Sequence, residues 1–214
     1  MKRIELSGVV PEVFRDADDL SSGIWNKHVV FNKGKTYMIE AASGKGKSSL
    51  CSYLYGIRHD YIGTILFDGT DAATLTRTQW RSVRRSSASM MFQDLGLFNE
   101  LTVMDNIMIK NSMSGQLTRT EILSMLEELG IGAKAPVRLS GLSWGEKQRV
   151  AFIRALAQPF DFIILDEPVS HLDMDNAEAM AGILSSEIRR RGAGAIVTSL
   201  GYTFPITYDE TIAL

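Results

Sequence analysis

The sequence predicts an α/β fold, and three observations carry that prediction. A glycine-containing loop, 41–49, joins an apolar strand to a helix. A four-residue apolar run, Phe162-Ile163-Ile164-Leu165, ends in Asp166-Glu167-Pro168. Between these segments, from 95 to 158, helical periodicity dominates. Short apolar runs bounded by turns are strands, and recurrence at i, i+3 and i+4 marks helices. Strands alternating with helices around an all-helical stretch imply one core interrupted by a helical subdomain.

Taken in order, Val29-Val30-Phe31 and Tyr37-Met38-Ile39 flank the turn Asn32-Lys33-Gly34-Lys35, giving two strands. Leu50, Leu54 and Ile57 recur at helical spacing, so a helix begins near Lys47. The run 62–68 ends in Asp68-Gly69 and reads as strand and turn. Residues 74–85 are polar and basic, an exposed helix, and 88–92 form a short strand. Thr118-Arg119-Thr120-Glu121 is a capping box, Ile122, Leu126 and Leu129 make the apolar face behind it, and Gly130 stops the helix. Another helix runs over 144–157 and is ended by Pro159. After the strand at 162–165, Ala177, Met180, Ala181, Leu184 and Ile188 describe an amphipathic helix that stops at Arg189-Arg190-Arg191-Gly192. Those cations suit a helix C-terminus rather than a binding patch. A last strand is expected at 195–198.

Whole-chain properties narrow the function classes. A chain of 214 residues can bury one sizeable core. The net charge of −2 gives no basic field of the kind nucleic acid attracts. The single cysteine, Cys51, rules out an internal disulfide framework and suits a reducing compartment. His28, His59 and His171 are too scattered for a zinc site. No leader is expected behind Met1-Lys2-Arg3-Ile4-Glu5, and no apolar run approaches the ~20 residues that span a bilayer, so direct membrane insertion is not expected.

Three segments carry chemistry. In Ala41-Ala42-Ser43-Gly44-Lys45-Gly46-Lys47-Ser48-Ser49, Gly44 and Gly46 let the backbone approach an anion, and the N–H groups of the following helix hold a phosphate. Lys47 then reaches the β- and γ-phosphates and the Ser48 hydroxyl reaches Mg²⁺. The apolar run at 162–165 buries the approach to Asp166, whose charge needs a partner such as Mg²⁺, and Glu167 follows, placed to polarise an attacking water. In Leu142-Ser143-Trp144-Gly145-Glu146-Lys147-Gln148-Arg149, Ser143 and Glu146 make a capping box, but neither Gly145 nor the rest of the octet is explained by capping.

Together these segments resemble ATP-binding cassette (ABC) ATPase subunits, over nearly the whole length from about 4 to 214. The octet resembles the family signature, Ser170-His171-Leu172-Asp173 the loop that crosses the dimer interface, and Met91-Phe92-Gln93-Asp94 the loop whose glutamine contacts Mg²⁺ or water and reports to a transmembrane partner. The resemblance implies a P-loop NTPase core of RecA type with a mixed sheet and an inserted helical subdomain. It makes 1–214 one domain, with core 1–94 and 158–214 and helical subdomain about 95–157. It implies ATP and Mg²⁺ as ligands. Ser43, Gly44, Lys45, Gly46, Lys47, Ser48 and Ser49 would hold the phosphates, and Phe14, ahead of Trp25, would stack on adenine. Ser143, Gly145, Glu146 and Asp173 would serve the nucleotide of a second subunit. Ser48, Gln93 and Asp166 would hold the metal, with Glu167, Lys47, Gln93 and Ser199 in catalysis. A second cassette, most simply an identical one, and a separate transmembrane permease subunit follow as partners, placing the chain on the cytoplasmic face of the membrane. Phe92-Gln93-Asp94-Leu95-Gly96-Leu97-Phe98 and Glu146 look most like the lipoprotein-releasing, macrolide-export and cell-division branch.

Three positions depart from the family pattern. Ala41 stands where the phosphate loop has glycine, a change that is tolerable if φ stays negative there. Trp144 replaces a glycine of the signature, and Ser199 takes the place of a histidine that reaches the γ-phosphate. Loss of that charge-assisted contact would cost on the order of 1.5–3 kcal/mol. Two other readings therefore stay open on the sequence: a cassette that switches on ATP with little hydrolysis, and a signalling cassette without transport.

Overall fold

The computed structural model describes residues 1–16, 21–170, 172–201 and 203–214. In chain order the elements are β1 (Arg3–Pro11), β2 (His28–Asn32), β3 (Thr36–Glu40), α1 (Lys47–Leu54), β4 (Tyr61–Phe67), β5 (Thr70–Asp71), α2 (Arg77–Ser86) and β6 (Ala88–Met91). Then come α3 (Val103–Asn111), α4 (Arg119–Glu128), α5 (Trp144–Leu156), β7 (Phe162–Asp166), α6 (Met174–Arg191), β8 (Gly194–Ser199) and β9 (Glu210–Ala213). Three helices in succession, α3 to α5, interrupt the strand–helix alternation.

The strands segregate into two sheets. One is antiparallel, in the order β2-β1-β4-β5; the other is parallel, in the order β6-β7-β8-β3-β9. A parallel sheet is covered on both faces, so its strands are apolar throughout instead of alternating with polar residues. β7 is buried at every position. Its residues still divide by pleat: Phe162 and Ile164 join the core shared with the antiparallel sheet and α1, while Ile163 and Leu165 join the core built with α3 to α6.

Three strands were not anticipated: β1, the two-residue β5 beside β4, and β9. β1 pairs with both β2 and β4, and its alternation is broken by a register shift between Ser7 and Val10. At that irregularity a Cβ on Gly63 would lie 2.3 Å from the Gly8 carbonyl oxygen, so the two backbones pass where no side chain fits. β9 is a four-residue edge strand lying parallel to β3. α3, α4, α5 and α6 each open on a side-chain cap, from Thr102, Thr118, Ser143 and Asp173. Among the described residues no helix is long and apolar enough to cross a membrane.

Candidate nucleotide site

The ends of β3, β7 and β8 lie side by side in the parallel sheet, and the site is built beyond them. Loops at the carboxyl ends of parallel strands are where such sheets bind ligands. β3 ends at Glu40 and the phosphate loop follows, with Ala41 absent from the residues of positive φ. Gly46, the residue before α1, has φ 96°. A Cβ there would stand 3.0 Å from the Trp25 ring and 3.3 Å from Phe14, so both conformation and space require glycine. Trp25 is buried, and its indole Nε1 donates to the Lys45 carbonyl at 3.0 Å, bracing the loop from below. Half-buried Phe14 lies beside Gly46 in a short 3₁₀ turn (Glu12–Phe14). Ser43, Gly44 and Lys45 are exposed at the loop tip. The Ser49 hydroxyl accepts from Arg58 Nη1 at 2.8 Å.

Lys47 is buried, and its Nζ donates to the carbonyls of Ala41 at 2.9 Å and Ala42 at 3.2 Å. It also stands 3.5 Å from Glu167 Oε1, so the phosphate loop and the carboxylate strand meet as an ion pair. Gln93 lies between the two motifs: its Oε1 accepts from Ser48 Oγ at 3.3 Å, and its Nε2 donates to Glu167 Oε2 at 3.5 Å. Glu167 is held in the left-handed backbone region at φ 52°, which side chains other than glycine's occupy at a cost.

Residues outside the predicted set hold this geometry. The β7–β8 register sets Asp166 opposite Thr198. The Thr198 hydroxyl donates to Asp166 Oδ1 at 2.7 Å and accepts from the Glu167 amide at 3.1 Å. The partner that Asp166 requires is thus in part a neighbouring strand's hydroxyl. Gln148, buried in α5, donates its Nε2 to the carbonyls of Pro168 at 2.6 Å and Glu167 at 3.3 Å, tying the signature helix to the end of β7. Only a buried polar residue beside the strand-end carboxylate could have signalled Thr198, and that adjacency depends on strand pairing. Ser199, buried at the end of β8, shares a cleft of about 350 Å³ with Gln93, Glu167, Pro168 and Thr198.

The signature end is organised differently. Ser143 Oγ accepts from the Glu146 amide at 3.3 Å, and Glu146 Oε2 accepts from the Ser143 amide at 2.8 Å. That second bond, reinforced by Lys134, holds the Glu146 carboxyl below the usual glutamate range. Gly145 follows in the first turn of α5. Asp173 caps α6 by accepting from the Asn176 amide at 2.9 Å, and that bond holds its carboxyl down. Arg149 of α5 donates to Asn176, so signature and cap are joined. His171 lies outside the described residues. Trp144 is half exposed and lines a cleft of about 470 Å³ together with Ser48, Gln93 and Asp166 of its own chain, instead of facing only outward.

Ser48, Gln93 and Asp166 offer a hydroxyl, an amide oxygen and a carboxylate on that one cleft, all hard oxygen donors. No cluster of three His, Cys, Asp or Glu side chains able to cage a metal exists among the described residues. That donor set fits Mg²⁺, which binds few protein oxygens and completes its shell with water and phosphate.

Known proteins resemble this chain over most of its length. The family model described as ABC transporter matches residues 25–170. The lipoprotein-releasing system ATP-binding protein LolD of Hyphomonas neptunium is 31% identical, over 85% of this chain and 81% of that protein. The glycine betaine/proline betaine transport ATP-binding protein ProV of Salmonella typhimurium is 32% identical over 78% of this chain, which spans only 42% of that longer relative. The dimeric ATP-binding cassette MJ0796, in a post-hydrolysis state bound to ADP and Pi, superposes with a TM-score of 0.77 at 23% identity, covering 92% of this chain and 87% of that one.

Proposed function

The chain belongs to the ABC transporter family, and on that premise we propose that it binds and hydrolyses ATP as one of a pair of cassettes that drive a separate transmembrane subunit. The observation that carries this reading is the 3.5 Å approach of Lys47 to Glu167, with Gln93 bonded to both Ser48 and Glu167.

The roles follow from that placement. The amides at the open end of α1 and the loop 43–46 hold the β-phosphate, with Phe14 placed for the adenine. An arriving phosphate competes with Glu167 for Lys47, so nucleotide binding loosens the ion pair and frees the carboxylate to act as a base. Glu167 takes a proton from water as the water oxygen attacks the γ-phosphorus in line. The bond to the β-phosphate oxygen breaks, leaving ADP and phosphate. Mg²⁺, held by Ser48 and Asp166 with Gln93 beside it, would neutralise charge on the leaving oxygens. Thr198 keeps Asp166 and the Glu167 backbone in register, and Ser199 lies at the γ-phosphate end of the cleft. Ser143 and Gly145 of one chain would close over the nucleotide of the other, with Asp173 at the junction. The membrane partner places the pair on the cytoplasmic face of the bilayer.

The test is phosphate release by the purified chain with its membrane partner, beside the Glu167→Gln variant. Release at equal rates by the two proteins would remove this reading.

A further inference from the structure

The two serines near the start of α1 face different ways. The Ser48 hydroxyl donates to Gln93, on the side assigned to the metal and the γ-phosphate. Ser49 stands one residue further along, about 100° round the helix. Its hydroxyl faces a second cluster, made by Tyr53, Arg58 and Asp60.

Local structure builds that cluster. α1 ends at Leu54, Gly56 takes φ 70°, and the chain doubles back until the Arg58 amide donates to the Ser52 carbonyl at 3.4 Å. A Cβ on Gly56 would meet the Trp80 ring at 2.3 Å, so the turn needs glycine in conformation and in space. The Arg58 side chain then runs back along α1, with its guanidinium 5.5 Å from the Tyr53 ring centroid. Its planar fork is split. Nε donates to Asp60 Oδ1 at 2.9 Å and Nη2 to Asp60 Oδ2, whereas Nη1 donates to Ser49 Oγ at 2.8 Å.

The cluster also reaches the base end of the site. The Asp60 carbonyl accepts from the Tyr53 hydroxyl at 2.9 Å and from the Glu12 amide at 3.0 Å, and Glu12 opens the turn that ends in Phe14. By these contacts Arg58 and Asp60 join the Phe14 turn to the first turn of α1. A half-exposed arginine–aspartate pair adds only about 0–1 kcal/mol, so the pair itself does not explain the third bond, to Ser49. A hydroxyl that accepts from a cation is polarised and becomes a better donor, and its one proton is left for another acceptor. The Tyr53 oxygen is near enough to take that proton. A phosphate oxygen is charged and competes better.

We propose that Arg58 is a positioning residue for the nucleotide: clasped by Asp60, it makes the Ser49 hydroxyl a donor aimed at the α-phosphate. The inference rests on the reading of the chain as an ATP-binding cassette and deepens that site. A nucleotide with its adenine at Phe14 and its Mg²⁺ at Ser48 sets the α-phosphate between them, where Ser49 stands. Arg58 touches no reacting atom. It acts through Ser49 on the phosphate that ATP and ADP share, so its loss weakens both alike.

The test is calorimetric titration of the whole chain with ATP and with ADP, in the presence of Mg²⁺. Arg58→Ala should weaken both nucleotides by the same factor, about three- to tenfold, the worth of one net hydrogen bond. In a Ser49→Ala background the same change should add no further loss, because the hydroxyl it acts on is gone. An arginine needed only to fold its loop would cost affinity in both backgrounds, so a full further loss there would overturn the inference. Arg58→Lys keeps a charge but cannot hold Asp60 and Ser49 with one fork, and should recover only part of the affinity. Full recovery would reduce Arg58 to a surface cation and overturn its positioning role. ATP with sulfur in place of one non-bridging α-oxygen gives a readout that loop folding does not move. The parent should bind its two diastereomers unequally, and the preference should shrink in Arg58→Ala and in Ser49→Ala. Equal binding by the parent, or a preference unchanged in the variants, would overturn the inference. Nucleotide binding by Arg58→Ala as tight as the parent's would overturn it alone. A parent that binds no nucleotide would remove the ATP-binding reading, and this inference with it.

Discussion

Two helix N-termini point toward nucleotide chemistry in this molecule, and they are prepared in opposite ways. α1 opens at Gly46 with no side-chain cap, whereas α5 opens at Ser143 with a complete capping box. The first turn of any helix carries amides without intrahelical partners. At α1 those amides are left for a ligand, and Lys47 is buried beside them with its charge already aimed. At α5 the Ser143 and Glu146 side chains have taken two of the donors themselves. One end is committed to its anion before the anion arrives. The other stands as a folded helix terminus first, and serves a ligand only by sharing or releasing its box. This is the arrangement expected if α1 binds nucleotide within one chain and α5 acts only when a second chain brings one.

That contrast can be broken most forcefully at the α1 side. Glu167→Gln should lower phosphate release by about 10²–10⁴-fold while ATP still binds, as loss of a general base does. Steady-state phosphate release beside equilibrium nucleotide titration separates the two effects. Next, Lys47→Ala removes a charge-assisted phosphate contact and should weaken ATP binding by about tenfold to a hundredfold. Nucleotide affinity unchanged in that variant would mean that the phosphate is held elsewhere. Third, Thr198→Val keeps the shape but strips the hydroxyl from Asp166 and the Glu167 amide, costing about 1–3 kcal/mol of stability by denaturant titration. Turnover should fall by roughly tenfold with it if even about 1.4 kcal/mol of that loss falls on the transition state.

The α5 side should respond more gently. Ser143→Ala loses a cap worth about 1 kcal/mol, which shifts the melting temperature by about 2–4 °C in a chain of this size. If hydrolysis by the assembled pair falls far beyond that shift, α5 is a working anion site. If only the melting temperature moves, it is a capped helix and the contrast with α1 is complete. The smallest expected effect is in acid. The folded Glu146 carboxyl is held below the usual range by the Ser143 amide, so its contribution is fully present above the unfolded value, about 4.3. It is lost as pH falls through the lower folded value. Glu146→Gln should flatten that limb by lowering stability slightly at neutral pH, with variant and parent converging in acid.

Much of this could be read from residue patterns because it is local. Strand, loop and helix around Lys47, the capping boxes at Thr118 and Ser143, and the buried run before Asp166 are all settled within a few residues. What escaped was partner choice. β1 carries Ile4 and Leu6 in alternation, but Gly8 and Pro11 read as breakers until β4 supplies Gly63 opposite the irregularity. β9 is four residues on a sheet edge, mostly exposed, with no periodicity to detect. That the strands divide into an antiparallel and a parallel sheet is likewise a matter of long-range pairing. The site shows the same division. Lys47, Asp166 and Glu167 stand in contiguous motifs, whereas Thr198 matters only because β8 sets it opposite Asp166. Gln148 stands within the signature octet, but its hold on the Pro168 carbonyl needs α5 folded against the end of β7.

The brace beneath the phosphate loop has an optical consequence. The chain has three tryptophans, and they sit in unlike surroundings: Trp25 and Trp80 are buried, whereas Trp144 is 47% exposed. Trp25 is wired to the Lys45 carbonyl through its indole nitrogen, and Trp144 lines the cleft that holds Ser48 and Asp166. The chain therefore carries two emitters at the proposed nucleotide site, a buried one under the loop, expected to emit to the blue, and a half-exposed one on the cleft, expected to emit further to the red. With Trp80 replaced by Phe, changes in their fluorescence would follow the loop and the closure of the proposed pair separately, without any label being attached.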